Sequence, residues 1–125
     1  MNIEWSSEAR RSLRAIRKYI AQDSEFYAGR MVARIVERVE RAALMPSAGH
    51  PVHEYPEEPL KEVHESPYRI IYEYTDSKLW VVTIVHFKDR LTTKRLTRRQ
   101  SQRRELSRRV RPKEIRKEGP ESSSE

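Results

Sequence analysis

Residues 68–87, YRIIYEYTDSKLWVVTIVHF, contain two runs of β-branched and aromatic residues on either side of the polar segment TDSK. Such residues fit the pleated surface of a sheet, and the polar segment between them predicts a hairpin turn. The second run is almost continuously apolar, which predicts a central strand covered on both faces. The preceding run LKEVHES, residues 60–66, predicts a further strand. This region therefore predicts a small, mostly antiparallel sheet.

Two amphipathic helices are predicted ahead of these strands, after a short apolar start that contains Ile3 and Trp5. The first helix begins at Ser6 or Ser7 and carries an apolar stripe at helical spacing: Ala9, Leu13, Ile16 and Ile20. A new N-cap at Asp23 or Ser24 opens the second helix, with the stripe Tyr27 or Phe26, Met31, Ile35, Val39 and Ala42. Pro46 ends it. The predicted fold class is α+β, an N-terminal helical hairpin packed on the small, mostly antiparallel β-sheet.

The charge of the chain is concentrated near its C-terminus. Residues 1–87 hold 12 Lys and Arg against 13 Asp and Glu, whereas residues 88–117 hold 14 against three. We therefore predict one domain over residues 1–91, a basic arm over 92–117 with a helix within it, and a disordered tail over 118–125. The net charge of +11 over residues 88–117 favours a polyanionic partner such as nucleic acid.

Several classes of protein are excluded by composition. The chain has no cysteine, which rules out disulfides and thiol catalysis. Its longest apolar run, LWVVTIV, is far shorter than the roughly 20 residues of a membrane span. Its start, MNIEWSSEARR, has no apolar stretch typical of a secretory signal. A cytoplasmic protein without membrane contact is the expectation.

Arg69 is the unusual residue of the YRIIYEY strand, because an arginine keeps its charge on burial. Alternation places it on the face opposite Ile70, which predicts an exposed position on an open sheet face. Two interpretations remain. Arg69 pairs with Glu62 or Glu73 and holds the strand register, or it contacts a target.

The early Trp5, the helical hairpin and the segments LMPSAGHPVHE, LKEVHESPYRIIYEY and VVTIVHFKDRL together resemble toxins of the RelE/ParE superfamily. The resemblance covers residues 1–91. It implies the toxin of a type II toxin–antitoxin module, with a cognate antitoxin whose C-terminal segment folds across the toxin. One branch of the superfamily cuts messenger RNA on the ribosome, and the ParE-like branch inhibits DNA gyrase. Fold alone does not choose between the two branches.

Candidate site residues follow from the resemblance and from the chemistry of each branch. A ribonuclease would use Arg69, His86 and Arg90 as catalytic residues, since RNA cleavage needs proton transfer and cations around the phosphorus. Target or phosphate binding is predicted at Lys61, Arg69, Lys88 and Arg90. The ribonucleases commonly carry a tyrosine just past the last strand, but this chain has Phe87-Lys88-Asp89-Arg90 there. The departure favours the ParE-like gyrase inhibitor over the messenger-RNA endonuclease, with a non-toxic nucleic-acid-binding module as a third alternative.

No cofactor and no metal are predicted. His50, His53, His64 and Glu54 suggest metal ligands by type, but their proline-rich loop gives no defined ligand geometry. The predicted partners are the antitoxin, gyrase or the ribosome with its messenger RNA, and nucleic acid at the basic arm.

Overall fold

The computed structural model describes residues 1–92, in which two α-helices pack on a five-stranded sheet. The strands are β1 (Asn2–Trp5), β2 (His50–Pro51), β3 (Lys61–Glu65), β4 (Tyr68–Tyr74) and β5 (Lys78–His86), and the helices are α1 (Ser7–Ala21) and α2 (Glu25–Leu44). The sheet order is β1-β5-β4-β3-β2. The predicted α+β fold class is confirmed. The predicted basic arm and tail lie outside the described residues.

The sheet is mixed. β1 pairs with β5 in parallel, and the other three pairings are antiparallel. The hairpin of β4 and β5 forms around residues 75–77, as the TDSK segment predicts. The two-residue strand β2 was not predicted, because its proline-rich sequence has no strand periodicity of its own. It pairs with β3 through His50 and Pro51.

Both helices begin at the predicted serine caps. The Ser6 hydroxyl accepts a hydrogen bond from the Ala9 N–H at 2.9 Å and donates one to the Val82 carbonyl at 2.7 Å, which ties the start of α1 to β5. The Ser24 hydroxyl accepts from the Tyr27 N–H at 3.2 Å. Each cap satisfies one of the free N–H groups at a helix start. Within residues 1–92, neither helix is long and apolar enough to cross a membrane.

One face of the sheet packs on the helical hairpin. The core between them joins Ala9, Ile35, Val39 and Ala42 of the helices to sheet residues that include Ile70, Tyr72, Leu79 and Val81. The predicted apolar stripe of α2 is correct at Ile35, Val39 and Ala42, which are all buried. It is wrong at its start, because Phe26 and Tyr27 are 65% and 64% exposed. The core-facing position at the start of α2 belongs instead to Ala28, which is fully buried and shares a face with Ile35 and Ala42.

The other face of the sheet is covered as well. Ile71 and Val85 point away from the helices and are at most 2% exposed. Val52 and Leu60, in the loop before β3, and Leu91, in the segment after β5, are also buried. Hydrogen bonds tie the loop before β3 both to β4 and to the segment after β5. The face that the sequence predicts to be open is therefore covered around Arg69 by these two segments.

Candidate functional site

Arg69 lies in a buried cluster of charges on the second sheet face. Its guanidinium donates to both carboxylate oxygens of Glu54, at 3.0 Å from Nη1 and 2.6 Å from Nη2. Nε and Nη2 also donate to Oε1 of Glu62, at 2.9 and 2.6 Å. Arg69 is only 6% exposed. The prediction of an exposed arginine is wrong, and its predicted pairing with Glu62 is confirmed.

The three members of this cluster come from three different segments. β4 supplies Arg69, β3 supplies Glu62, and the loop between β2 and β3 supplies Glu54. Oε2 of Glu54 also accepts a hydrogen bond from the Leu91 N–H at 2.9 Å. Nε2 of His64 lies 2.7 Å from the second oxygen of Glu62. The cluster therefore joins β3, β4, the covering loop and the segment that follows β5.

The charges of the cluster compensate one another, since Arg69 is paired with Glu54 and Glu62. Hydrogen bonding to Arg69 lowers the pKa of Glu54 to about 2, although burial opposes this shift. Hydrogen bonding to Glu54 raises the pKa of Arg69 above its ordinary value, again against the effect of burial. Two carboxylates face one guanidinium, so the pair interactions leave no surplus positive charge for a phosphate.

His86 lies on the opposite face of the sheet from Arg69. In the β4–β5 register His86 is paired with Tyr68 and Val85 is paired with Arg69, and residues directly opposite each other share a face. The His86 ring meets the Tyr68 ring edge to face at 5.6 Å. Its Nδ1 accepts the Lys88 N–H at 3.0 Å, so the neutral ring carries its proton on Nε2. Burial raises the pKa of Tyr68.

The remaining predicted residues are also spread out. Lys61 is paired with Tyr72 and shares its helix-side face, at half-buried exposure. Lys88 and Arg90 are exposed in the segment after β5. The structure thus brings Arg69 together with carboxylates, not with His86 or Lys61. From the sequence, Glu54 is considered only as a metal ligand and is missed as the partner of Arg69, from which it lies 15 positions away. The sequence indicates this contact only indirectly, because an arginine within a buried strand requires a carboxylate partner.

The histidines do not form a metal site in the described part of the chain. His50 and His64 stack at 5.5 Å, and Phe87 meets His64 edge to face at 5.3 Å. His53 lies 3.8 Å from Glu54. Among residues 1–92, no three His, Asp or Glu side chains converge in a way that would hold a metal ion.

A second feature with the character of a binding surface lies at the turn between α1 and α2. Tyr19, Phe26 and Tyr27 are all more than 60% exposed there. They adjoin an open cleft of about 340 Å³ lined by Ile20, Phe26, Tyr27, Arg30, Met31 and Arg34. We call these six lining residues and Tyr19 the hairpin-tip surface. Monomeric proteins seldom leave several large apolar side chains exposed together unless they bind something.

Comparisons with known proteins agree with this fold. The family model described as the ParE toxin of the type II toxin–antitoxin system, parDE, matches residues 3–91. A solved structure titled as the chromosomal ParDE toxin–antitoxin system from P. aeruginosa is similar in fold, with a TM-score of 0.57 and 20% sequence identity. The match covers 69% of this chain and 95% of that one. A search of curated proteins found no match. Since the family model spans most of the domain, the chain belongs to the family of ParE toxins of type II toxin–antitoxin systems.

Proposed function

We propose that this toxin acts by binding and inhibiting DNA gyrase, that a cognate antitoxin neutralises it, and that it does not cleave RNA. The observation that carries the proposal is the saturation of Arg69 by Glu54 and Glu62. An arginine that stabilises a phosphate in a transition state must offer its N–H groups to the phosphate oxygens. In this protein four of those contacts already go to carboxylates inside a buried cluster.

The positions of the other predicted catalytic residues support the same conclusion. Arg69 and His86 project from opposite faces of the sheet, so one phosphodiester could not contact both. Catalytic groups must lie within hydrogen-bond reach of the same reacting atoms. A protein that inhibits by binding has no such requirement, because it needs only an exposed contact surface.

Lys88 and Arg90 are the predicted target-binding residues that best fit this role. Both are exposed, and both follow β5 directly. Lys61 is half-buried on the sheet face that carries the helices, and Arg69 is neutralised. We therefore assign target contact to Lys88 and Arg90, with Lys61 as an accessory residue and with Arg69 as a structural one.

A messenger-RNA endonuclease is the second candidate, and the Tyr68–His86 pair is the observation that favours it. A histidine beside a tyrosine is a plausible acid–base combination. However, Tyr68 is 7% exposed and burial raises its pKa, which makes its hydroxyl a poor proton acceptor near neutral pH.

Two assays on one preparation of the full-length protein test the proposal. Gyrase supercoiling is measured with increasing toxin, and messenger-RNA cleavage is followed in a translating extract. We expect loss of supercoiling and no codon-positioned cuts. The double variant Lys88→Glu/Arg90→Glu should inhibit gyrase far less, whereas Arg41→Glu, an exposed charge reversal on α2, should inhibit like the wild type. Cleavage without gyrase inhibition would contradict the proposal.

A further inference from the structure

The hairpin-tip surface has the composition of a protein-binding hot spot. Ile20 and Met31 provide aliphatic surface in the cleft, and Phe26 and Tyr27 contact each other edge to face at 5.4 Å. The Arg30 guanidinium lies over the Phe26 ring at 5.7 Å. Exposed aromatic rings together with arginines are the side chains most enriched where protein partners bind tightly.

The positive charge around the cleft favours a negatively charged partner. Arg30 and Arg34 line it, and the two helices and their link carry nine Lys and Arg against five Asp and Glu over residues 7–44. A second copy of the chain would bring the same arginines face to face, which opposes self-association through this surface. An acidic segment with an apolar side chain to insert matches both the charge and the cleft.

From this match we infer that an acidic segment of the cognate antitoxin docks on the hairpin-tip surface and inserts an apolar side chain between Phe26, Tyr27 and Met31. The inference rests on the proposed function, since it needs an antitoxin. The cleft of about 340 Å³ has room for one large side chain, and the two arginines then face the carboxylates that flank it. Nucleic acid is the weaker candidate because Ile20 and Met31 give the cleft an apolar lining that suits an inserted apolar side chain and offers no hydrogen bond to a phosphate.

Matched variants of the full-length toxin test the site. The probe is the small protein encoded beside this chain that restores growth when both are expressed. Phe26→Ala and Tyr27→Asp should each weaken its binding at least about tenfold, as expected for hot-spot side chains. Phe87→Ala removes the same ring from the end of β5 and should change the affinity less than about twofold. Because Phe26 and Tyr27 are largely exposed, the thermal midpoints should stay close to that of the wild type.

Charge reversal gives a second readout that does not depend on the rings. Arg34→Glu should slow association and flatten its dependence on salt, whereas Arg41→Glu, two turns along the same helix, should do neither. If the antitoxin binds wild type, Phe26→Ala and Phe87→Ala equally well, the docking site is wrong and the proposed function stands. If no neighbouring protein binds or restores growth, the antitoxin part of the proposed function fails. If the tip variants lose binding to DNA or RNA instead, the partner is nucleic acid and the inference is overturned.

Discussion

Arg69 and His86 lie on neighbouring strands of the same hairpin but on opposite faces of the sheet. The register pairs Arg69 with Val85, and Arg69 points into a carboxylate cluster. His86 is paired with Tyr68 and lies on the side of the helices. Two residues that sequence analysis places in one catalytic site therefore belong to different environments, one structural and one at the rim of the core.

The first prediction concerns the stability that Arg69 provides. Arg69→Ala removes the only guanidinium of the described cluster and leaves Glu54 and Glu62 as buried charges without their partner. Loss of one member of a buried ion pair typically costs about 3–5 kcal/mol. In a domain of this size, that lowers the thermal midpoint by roughly 12 °C or more. Circular dichroism melting would measure the change.

Two comparisons separate this effect from a general loss of positive charge. Arg90→Ala removes an exposed arginine and should shift the midpoint by only about a degree or two. Adding Glu54→Gln and Glu62→Gln to Arg69→Met should recover part of the lost stability, because the unpaired charges disappear. An Arg69→Ala protein that melts like the wild type would show that the cluster contributes little.

The second prediction concerns acid stability. The pKa of Glu54 is about 2 in the folded protein, below its ordinary value of 4.5. A carboxyl whose pKa is lowered by folding stabilises the protein above its unfolded pKa, and this contribution disappears as pH falls toward its folded pKa. Stability should therefore drop between about pH 5 and pH 2, with Glu54 contributing up to about 3 kcal/mol of the change.

Urea unfolding at pH 6 and at pH 3 would measure this contribution. Glu54→Gln should be less stable than the wild type at pH 6, and the difference should shrink at pH 3, where the wild type begins to lose the same interaction. Glu57→Gln alters an exposed carboxylate in the same loop and should follow the wild-type curve at both pH values. Equal losses for Glu54→Gln at the two pH values would rule out the proposed linkage.

Particular residues show how far the sequence predicts the structure. The serine caps, the two helices and strands β3 to β5 are predictable because capping and periodicity are local properties. The Glu54–Arg69 contact is not, since Glu54 lies in a loop without periodicity and reaches β4 only after the chain folds back. The exposure of Phe26 and Tyr27 is also missed, because helical spacing assigns these large aromatic rings to the apolar stripe, whereas the small neighbouring residue Ala28 takes the buried position where α2 begins.

The third prediction compares two glycines. Gly49 lies against the Tyr72 hydroxyl and the Glu62 carbonyl, so a Cβ added there would collide with the tyrosine. Gly29, within α2, has open space around the same position. Gly49→Ala should be destabilising because it displaces the hydrogen bond from Tyr72 to the Pro46 carbonyl. Gly29→Ala should stabilise by roughly 0.5–1 kcal/mol, the usual gain in a helix interior.

A double-variant cycle identifies the source of the Gly49 effect. Tyr72→Phe removes the hydroxyl that a new Cβ would meet. The loss caused by Gly49→Ala should therefore be smaller in the Tyr72→Phe background, as measured by urea unfolding. Additive losses would mean that the Glu62 carbonyl, not the tyrosine, limits the space at Gly49.

The fourth prediction concerns His86 and the nuclease alternative. Its Nδ1 is occupied by the Lys88 N–H, and the guanidinium of Arg69 lies on the other face. His86→Ala should therefore leave growth arrest by the expressed toxin essentially unchanged. Codon-positioned cuts in a translating extract that vanish in His86→Ala would establish the endonuclease mechanism instead.

The last prediction concerns the basic arm and where the folded domain ends. Leu91 is 3% exposed and its N–H donates to Glu54, so the domain needs the chain at least to this residue. A protein ending at Lys94 keeps that contact, whereas one ending at Asp89 loses both the buried side chain and the hydrogen bond. We expect the 1–94 protein to melt close to the full-length midpoint and the 1–89 protein to melt clearly lower, since burying a leucine contributes about 1.5–3 kcal/mol.

The same truncation tests the arm as an electrostatic partner site. Removing residues 95–125 deletes most of a segment in which residues 88–117 carry a net charge of +11. Charge acts mainly on the rate of encounter and is screened over about 8 Å at physiological ionic strength. The 1–94 protein should therefore bind the antitoxin more slowly than the full-length chain, with a weaker salt dependence and a similar dissociation rate. If the two proteins associate with the antitoxin at equal rates at both salt concentrations, the arm binds a different polyanion. Titrating DNA against both proteins would then show whether that polyanion is nucleic acid.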